Sequence, residues 1–399
     1  MTFDLVETLA LCGVVLFLGY FLQSSIPGLS RLNIPAPVIG GLLAAVLVAA
    51  TRSQGWPAPQ FDTTLQRPLL VAFFTTIGFS ASYSLLRAGG KQVVLLLALV
   101  TGMAIVQNVV GIALAMGFGL PPALGVLTGS VTLTGGPATG LAFAPLFEQA
   151  GVEAAGTIAV ATAMGGIVLG GLIGGPVATF LIARRGLKQT TSAAVHAPVM
   201  TQSSSSLTAE DPASDRRALQ ALVIVLVAMW IGGGISKLIG QTGVTLPEYI
   251  GAMLVAALIR NVDDRTRWFG LSHGALDLLG AVALSLFLVM ALMTLDLTRL
   301  AHIAGPLLVM LMMQVILVAI VCSWPVFPLL GRDYDAAVTT GGFFGFMLGT
   351  TANAMAVMRT LVERFGPAPR AFLVAPLVGA FFLDFANALV ITTFLNLLR

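Results

Sequence analysis

The chain has 399 residues, of which 57% are hydrophobic and only 9% are charged, with a mean hydropathy of +0.97. Soluble globular domains carry roughly 25% charged residues, so this chain lacks the charge to cover a water-exposed surface. The composition therefore excludes a soluble enzyme, a nucleic-acid-binding protein and a disordered protein. It predicts an all-α polytopic membrane protein in a lipid bilayer. The formal net charge is +3, and in such a protein the Lys and Arg residues of the loops set the orientation of the chain in the membrane.

Charge-free windows follow one another along the chain, and a membrane-spanning helix requires about 20 such residues. The windows are 8–30, 34–50, 68–86, 92–147, 154–183, 218–236, 249–259, 278–295, 300–331, 336–358 and 371–398. The window 92–147 is too long for one helix, and the glycines and prolines of 117–122 predict a break inside it. The last window contains one charge, Asp384.

A polar, serine-rich stretch at 185–217 has no apolar period and predicts a flexible linker. It divides the chain into an N-terminal membrane repeat, 1–184, and a C-terminal membrane repeat, 218–399. The two repeats are similar in order: residues 34–45 match 246–257, and Gln107 recurs as Gln314. Weak internal symmetry of this kind is typical of secondary transporters, although apolar helices also resemble one another without any repeat.

The distribution of basic residues predicts the topology. We assume five crossings per repeat, one re-entrant hairpin per repeat and an N-terminus outside. Most of the 20 Lys and Arg residues then face the cytoplasm, as the positive-inside rule requires. Because each repeat crosses the membrane an odd number of times, the second repeat has the opposite orientation in the membrane to the first. The sequence thus predicts two inverted repeats, a cytoplasmic linker and both termini on the outer side.

Two segments, 121–142 and 341–355, are too rich in glycine and proline to form continuous helices. Irregular backbone at membrane depth persists only where protein or a wet cavity satisfies it. A helix that restarts inside the membrane points free N–H groups at an anion, and freed carbonyls suit Na⁺. Neutral donors and acceptors accompany both breaks: Ser130, Thr132, Thr134, Thr139, Thr350, Thr351 and Asn353. The plainer reading is close helix packing through glycine and threonine.

Asp384 is the one acid near the middle of an apolar window, and an intramembrane carboxylate suggests function. Asn387 lies at i+3 on the same helical face, so the pair predicts a cation site; a structural hydrogen bond is the alternative. An intramembrane enzyme would require paired aspartates or an HExxH motif, so no catalytic residue is predicted. Gln107, Asn108 and Gln314 lie mid-helix, where buried amides more often bridge helices than bind substrate.

Several ordered motifs make the chain resemble the bacterial sodium/glutamate symporter family over nearly its whole length. They are Ile34-Pro-Ala-Pro-Val-Ile-Gly-Gly, Phe73-Phe-Thr-Thr-Ile-Gly, Gly129-Ser-Val-Thr-Leu-Thr-Gly-Gly, Gly170-Gly-Leu-Ile-Gly-Gly-Pro-Val, Ser285-Leu-Phe-Leu, Asp333-Tyr-Asp-Ala-Ala-Val and Gly379-Ala-Phe-Phe-Leu-Asp-Phe-Ala-Asn-Ala-Leu-Val-Ile. The resemblance implies Na⁺-coupled uptake of L-glutamate at the bacterial inner membrane. It also implies a homodimer with an elevator mechanism, and no cofactor besides Na⁺ as coupling ion.

Position by position, the resemblance implies a substrate region at 130–140 and 349–353, which adds three glycines to the polar residues above: Gly135, Gly136 and Gly349. It places Asp384 and Asn387 near the cation. Pro137 stands where the family pattern suggests a histidine. This departure leaves another small carboxylate or amino acid open as the substrate. Because Asp384 can carry a proton instead of facing Na⁺, a proton-coupled transporter or antiporter of such a solute is the alternative function.

Overall fold

The structure, a computed structural model, describes residues 2–26, 34–54, 59–88, 90–187, 212–242, 246–297 and 303–398. Within these residues the chain is helical, and the one departure toward β-structure is an isolated pairing of Thr2 with Gln60. The predicted all-α class is therefore confirmed.

The helices of the first half are α1 Leu5–Ser25, α2 Ala36–Ser53, α3 Gln66–Ser80, α4 Tyr83–Ala88, α5 Gly90–Gly117, α6 Pro122–Val126, α7 Gly136–Gln149 and α8 Ala155–Arg185. A π-helical turn, Leu127–Val131, continues α6. Those of the second half are α9 Pro212–Gly240, α10 Glu248–Thr266, α11 His273–Met293, α12 Ala304–Val321, α13 Phe327–Leu329, α14 Tyr334–Met347, α15 Thr351–Phe365, α16 Pro369–Phe381 and α17 Leu383–Leu397. A second π-helical turn, Cys322–Val326, joins α12 to α13.

Local sequence explains where several helices begin. Asp4 Oδ1 accepts a hydrogen bond from Glu7 N at 2.8 Å, and Glu7 Oε2 accepts one from Asp4 N at 2.9 Å. This reciprocal capping box satisfies two free donors at the start of α1. Asp333 Oδ1 caps α14 in the same way by accepting from Ala336 N at 2.8 Å. The ends of these helices are therefore fixed by residues adjacent to them in sequence.

Within the described residues, seven helices are long and apolar enough to cross a membrane: α1, α2, α5, α8, α9, α11 and the α12–α13 segment. The bent pair α16–α17 brings the number to eight if it forms one span. These numbers rest on length and composition. They establish a multi-pass membrane protein.

The helices pack as two groups. We call α1, α2, α3, α9, α10 and α11 the panel, because their closest packing is with one another. We call α5 to α8 and α12 to α17 the bundle, in which α8 packs on α7, α14 and α15, and α5 packs on α6, α16 and α17. The two halves of the sequence therefore contribute their first three long helices to the panel and the remainder to the bundle.

Glycines allow the closest helix approaches within each group. A Cβ on Gly19 of α1 would overlap the carbonyl of Ala36 in α2, and a Cβ on Gly251 of α10 would overlap the carbonyl of Gly232 in α9. Small residues at such crossings let backbones touch, which is the main packing device of membrane helices. The α1–α2 and α9–α10 pairs, which open the two halves, use the same device.

The predicted linker at 185–217 is shorter in the structure. Helix α8 extends to Arg185, and α9 begins at Pro212, where proline suits the first turn of a helix. Residues 188–211 lie outside the described residues, so the remainder of the linker stays a prediction.

Candidate functional site

The first helix break lies between α6 and α7. Gly129 has non-helical backbone angles, φ −93° and ψ −127°, inside the π-helical turn. Gly136, the first residue of α7, has φ +70°, a conformation that side chains larger than hydrogen rarely adopt. The predicted break within 121–142 is therefore present, and glycine is required where the new helix starts.

The second break lies between α14 and α15. Helix α14 ends at Met347, and Thr350 is extended, with φ −137° and ψ 170°, immediately before α15. The two breaks touch, because a Cβ on Gly136 would lie 3.2 Å from Thr350 Cγ2. The structure thus brings together the two glycine-rich segments that the family resemblance implies as the substrate region.

Two mid-helix amides of α5 hold the breaks in place. Thr134 Oγ1 donates to Gln107 Oε1 at 2.8 Å, and Gln107 Nε2 donates to the carbonyl of Met347 at 2.8 Å. Asn108 Oδ1 accepts from the backbone N–H of Ser130 at 2.8 Å. Both amides are fully buried. Their role is to bridge helices, as their mid-helix position suggested.

Behind the breaks, the buried oxygen atoms without a hydrogen-bond partner among the described residues include Ser130 Oγ, Asn353 Oδ1 and Asn387 Oδ1. Asn387 Nδ2 donates to the carbonyl of Ser130 at 3.0 Å, and Asn353 Nδ2 donates to the carbonyl of Ile167 in α8 at 3.1 Å. Each amide is therefore anchored by its nitrogen and presents an oxygen without a partner. Buried oxygens left unpaired in this way are costly unless a ligand satisfies them.

A cavity of about 530 Å³ lies where the breaks meet the panel. Its volume falls within the range of roughly 300–1,000 Å³ that is typical of small-molecule sites. The bundle contributes Thr134, Gly135, Thr350, Thr351 and Asp384, and the panel contributes Tyr20, Gln23, Phe73 and Ser285. Asp384 is the one charged side chain among the described residues that line it. Helices α7 and α15 both begin beside this cavity and direct their positive ends toward it.

The predicted site residues divide into three sets. Thr134, Gly135, Thr350, Thr351 and Asp384 line the cavity. Ser130, Thr132, Thr139, Asn353 and Asn387 are buried behind it, and the hydroxyl of Thr132 donates back to the carbonyl of Leu127 at 2.9 Å. Gly136 and Gly349 provide the close approach between the breaks. The structure thus brings the predicted residues into one region, with Asp384 and Asn387 in different settings within it.

Sequence reasoning did not assign the panel side of the cavity. Phe73 and Ser285 line it, although both lie in motifs that carried the family resemblance. Tyr20 and Gln23 had no signal in the sequence beyond their place near the end of the first apolar window. Pro137, noted as a departure from the family pattern, lines the cavity as well.

Two further cavities lie farther along α7, at its C-terminal end. One, of about 610 Å³, is lined by Glu148, Glu153 and Asp296, and the other, of about 480 Å³, by Arg67 and Glu248, which form an ion pair at 2.7 Å. Both cavities are large enough for a small molecule, but no residue of either helix break lines them. The cavity at the breaks is therefore the candidate functional site.

Comparison with known proteins decides the family. The sodium/glutamate symporter family model matches residues 1–367. The chain is 39% identical over 402 residues to the sodium/glutamate symporter of Escherichia coli K12, covering 99% of this chain and 98% of that protein. This chain belongs to the sodium/glutamate symporter family. The sodium/glutamate symporter of Haemophilus influenzae is also 39% identical, over 388 residues that cover 97% of this chain and 96% of that protein.

The family assignment confirms the resemblance found in the motifs, and it agrees with the prediction that the protein is a transporter and not an enzyme. Asp384 and Asn387 lie beyond the part matched by the family model but within the span covered by the relatives. Among solved structures, the sodium/proton antiporter MjNhaP1 of Methanocaldococcus jannaschii overlaps with a TM-score of 0.41 at 15% identity, covering 99% of this chain and 95% of that chain. This overlap is too loose to establish a shared fold, and the family rests on the sequence relatives.

Proposed function

We propose that the protein is a sodium-coupled symporter that imports glutamate across the bacterial inner membrane. The observation that carries this proposal is the cavity between two touching helix breaks, which has neutral donors on its walls and unpaired oxygens behind it. Its relatives are named sodium/glutamate symporters, and we infer the two transported solutes, sodium and glutamate, from these names.

Glutamate binds in the cavity of about 530 Å³. Its carboxylates accept hydrogen bonds from the N-terminal N–H groups of α7 and α15 and from the hydroxyl of Thr350. The hydroxyls of Thr134 and Thr351 donate to Gln107 Oε1 and to the carbonyl of Gly379, and thereby hold the two breaks beside the ligand. Helix N-termini bind anions without a basic side chain, which suits a site whose described lining residues include no Lys or Arg. The buried Ser130, Thr132, Thr139 and Asn353 support the breaks from behind.

Sodium binds next to Asn387. Hard cations prefer oxygen ligands, and Asn387 Oδ1 and Ser130 Oγ are buried oxygens without a partner among the described residues. The hydrogen bond from Asn387 Nδ2 to the carbonyl of Ser130 at 3.0 Å keeps these two residues together. A sodium ion there would fix the first break, which links cation binding to the shape of the substrate cavity.

Transport follows an elevator mechanism, in which the bundle moves relative to the panel. The cavity lies on the boundary between the two groups, and the bonds of Gln107, Asn353 and Asn387 stay within the bundle. At the boundary, packing is largely apolar: Tyr249 of the panel contacts Phe143 of the bundle with ring centroids 5.2 Å apart. Apolar packing permits sliding without breaking buried polar bonds.

The two halves are inverted repeats, and each break belongs to a re-entrant hairpin. The repeated order of helices and the positive-inside pattern of the loops support this topology, with the linker cytoplasmic and both termini outside. The homodimer implied by the family resemblance remains a prediction.

Initial rates of uptake of labelled L-glutamate into proteoliposomes test the proposed function. Vesicles would be given an inward Na⁺ gradient, choline in place of Na⁺, or an inward H⁺ gradient with choline. We expect glutamate uptake only in the vesicles that have the inward Na⁺ gradient. Uptake driven by H⁺ in choline would favour the alternative of a proton-coupled transporter, and no glutamate uptake by folded protein under any condition would exclude glutamate as the substrate.

A further inference from the structure

Asp384 has a setting that differs from that of the oxygens behind the breaks. It is the second residue of α17, directly after the bend at Phe382, and its side chain is partly exposed to the cavity. It forms no hydrogen bond or ion pair with any described residue. A carboxylate at membrane depth without a partner is expensive, so its presence calls for a positive charge that the surrounding described residues do not provide.

Asn387 does not share this setting. Its amide is 2% exposed and turned toward Ser130, and neither Asn387 nor Ser130 is among the residues that line the cavity. The oxygens that suit a sodium ion and the carboxylate that needs a positive charge are thus on different sides of the same break. The substrate, which occupies the cavity, is the partner that can reach Asp384.

The remaining cavity wall provides the complementary chemistry. The hydroxyl of Thr350 is a neutral donor, and the N-termini of α7 and α15, which begin beside the cavity, favour negative groups. A ligand that complements both the Asp384 carboxylate and the donors on the rest of the wall carries carboxylates together with one cationic group. An α-amino acid has this pattern, whereas a dicarboxylate without nitrogen would place only negative charge beside Asp384 and be repelled by it.

We infer that Asp384 binds the ammonium group of the substrate, so that the cavity selects glutamate over glutarate, the dicarboxylate of the same length without the amino group. This inference rests on the proposed function, since it concerns the same cavity. It assigns Asp384 to substrate selection, and leaves sodium to the oxygens next to Asn387.

Binding of glutamate and of glutarate to the purified protein in saturating Na⁺, measured by calorimetry, tests the inference. The unaltered protein is expected to bind glutamate about 10- to 100-fold more tightly than glutarate, the range for a hydrogen-bonded ion pair that is shielded from water. Asp384→Asn is expected to weaken glutamate binding, because the ion pair is lost, and to strengthen glutarate binding, because the repulsion is lost, so that the roughly 10- to 100-fold preference for glutamate disappears. Retained Na⁺-dependent binding of glutarate then also shows that the variant is folded.

Glu363→Gln is the matched control, because Glu363 is an exposed carboxylate on α15 away from the cavity. It should leave the preference for glutamate unchanged. Equal affinity of the unaltered protein for both ligands would overturn the inference without any variant. A parallel loss of both ligands in Asp384→Asn, accompanied by a higher Na⁺ requirement, would also overturn it and assign Asp384 to the cation. Na⁺-dependent uptake of glutamate by the unaltered protein tests the proposed function separately.

Discussion

Gln314 Nε2 donates a hydrogen bond of 2.8 Å to the backbone carbonyl of Gln107. Gln107 lies in α5 and Gln314 in α12, the fourth long helices of their halves, and both are buried. The recurrence of glutamine at these two positions in the sequence thus has a direct physical counterpart. The two halves of the chain are joined at this point, next to both helix breaks.

Gln107→Leu is expected to destabilise the protein. The substitution keeps the volume but removes the bonds to Thr134 and to the carbonyl of Met347, which leaves buried polar groups unpaired. Each interhelical bond of this kind is worth about 1–2 kcal/mol, so the temperature of unfolding in detergent should fall and glutamate uptake should be impaired. Gln241→Leu, in an exposed turn, is the control. Equal unfolding temperatures for the two variants would show that the Gln107 bonds contribute no stability.

Gly125→Ala is expected to disturb the first break through packing alone. A Cβ on Gly125 would overlap the backbone of Gly111 and Ile112, so α5 and α6 would have to separate. Overpacking of this kind typically costs about 1–3 kcal/mol. Thermal unfolding and uptake should both be reduced.

Gly117→Ala provides the comparison for this packing effect, because a Cβ there would meet nothing within 4 Å. It should keep the stability of the unaltered protein. The packing explanation fails if both alanine variants behave alike.

Much of the fold was predictable from composition. Apolar windows predicted the long helices, and the glycines and prolines around Gly129 and Gly349 predicted the breaks, because helix disruption is a local property of these residues. The resemblance of the halves predicted that the breaks correspond. What holds the breaks, namely the bonds of Gln107 and Asn108, depends on which neighbouring helix faces them, and a single sequence does not contain that information.

The candidate site was predictable only in part for the same reason. Thr134, Thr350 and Thr351 face the cavity, whereas the hydroxyl of Thr132, two residues from Thr134, bonds to the carbonyl of Leu127. Identical residue types at one break thus acquire different surroundings. Phe73 and Ser285 lie on panel helices distant in sequence from the breaks, so only the packing of panel against bundle reveals them.

Asn387→Ala is expected to raise the Na⁺ concentration required for half-maximal glutamate uptake by about tenfold. This change corresponds to loss of one polar ligand worth about 1.4 kcal/mol. Asn396→Ala is the matched control on the same helix, because Asn396 Nδ2 donates to the carbonyl of Thr392 at 2.8 Å within α17. A lower maximal rate with an unchanged Na⁺ requirement would instead assign Asn387 a structural role.

A disulfide between panel and bundle is expected to stop transport. A Cβ on Gly156 of α8 would lie 3.2 Å from Leu295 Cδ2, directly after α11, so Gly156→Cys with Leu295→Cys brings two thiols close enough to oxidise. Oxidation should abolish glutamate uptake, and reduction should restore it, because the bundle can then move again.

The control pair for this cross-link is Gly165→Cys with Leu311→Cys, which joins α8 to α12 inside the bundle, where a Cβ on Gly165 would touch the Leu311 side chain. The protein that carries this control pair should still take up glutamate after oxidation. Undiminished uptake by the oxidised panel-to-bundle pair would contradict an elevator motion at this boundary.

Coupling of the two solutes is tested most directly by the glutamate concentration reached inside proteoliposomes that start with an inward Na⁺ gradient and equal glutamate on both sides. The protein is expected to accumulate glutamate above the external concentration, and a Na⁺ ionophore should return the internal concentration to the external value. Internal glutamate that never exceeds the external concentration, from protein that binds glutamate, would contradict sodium-coupled symport.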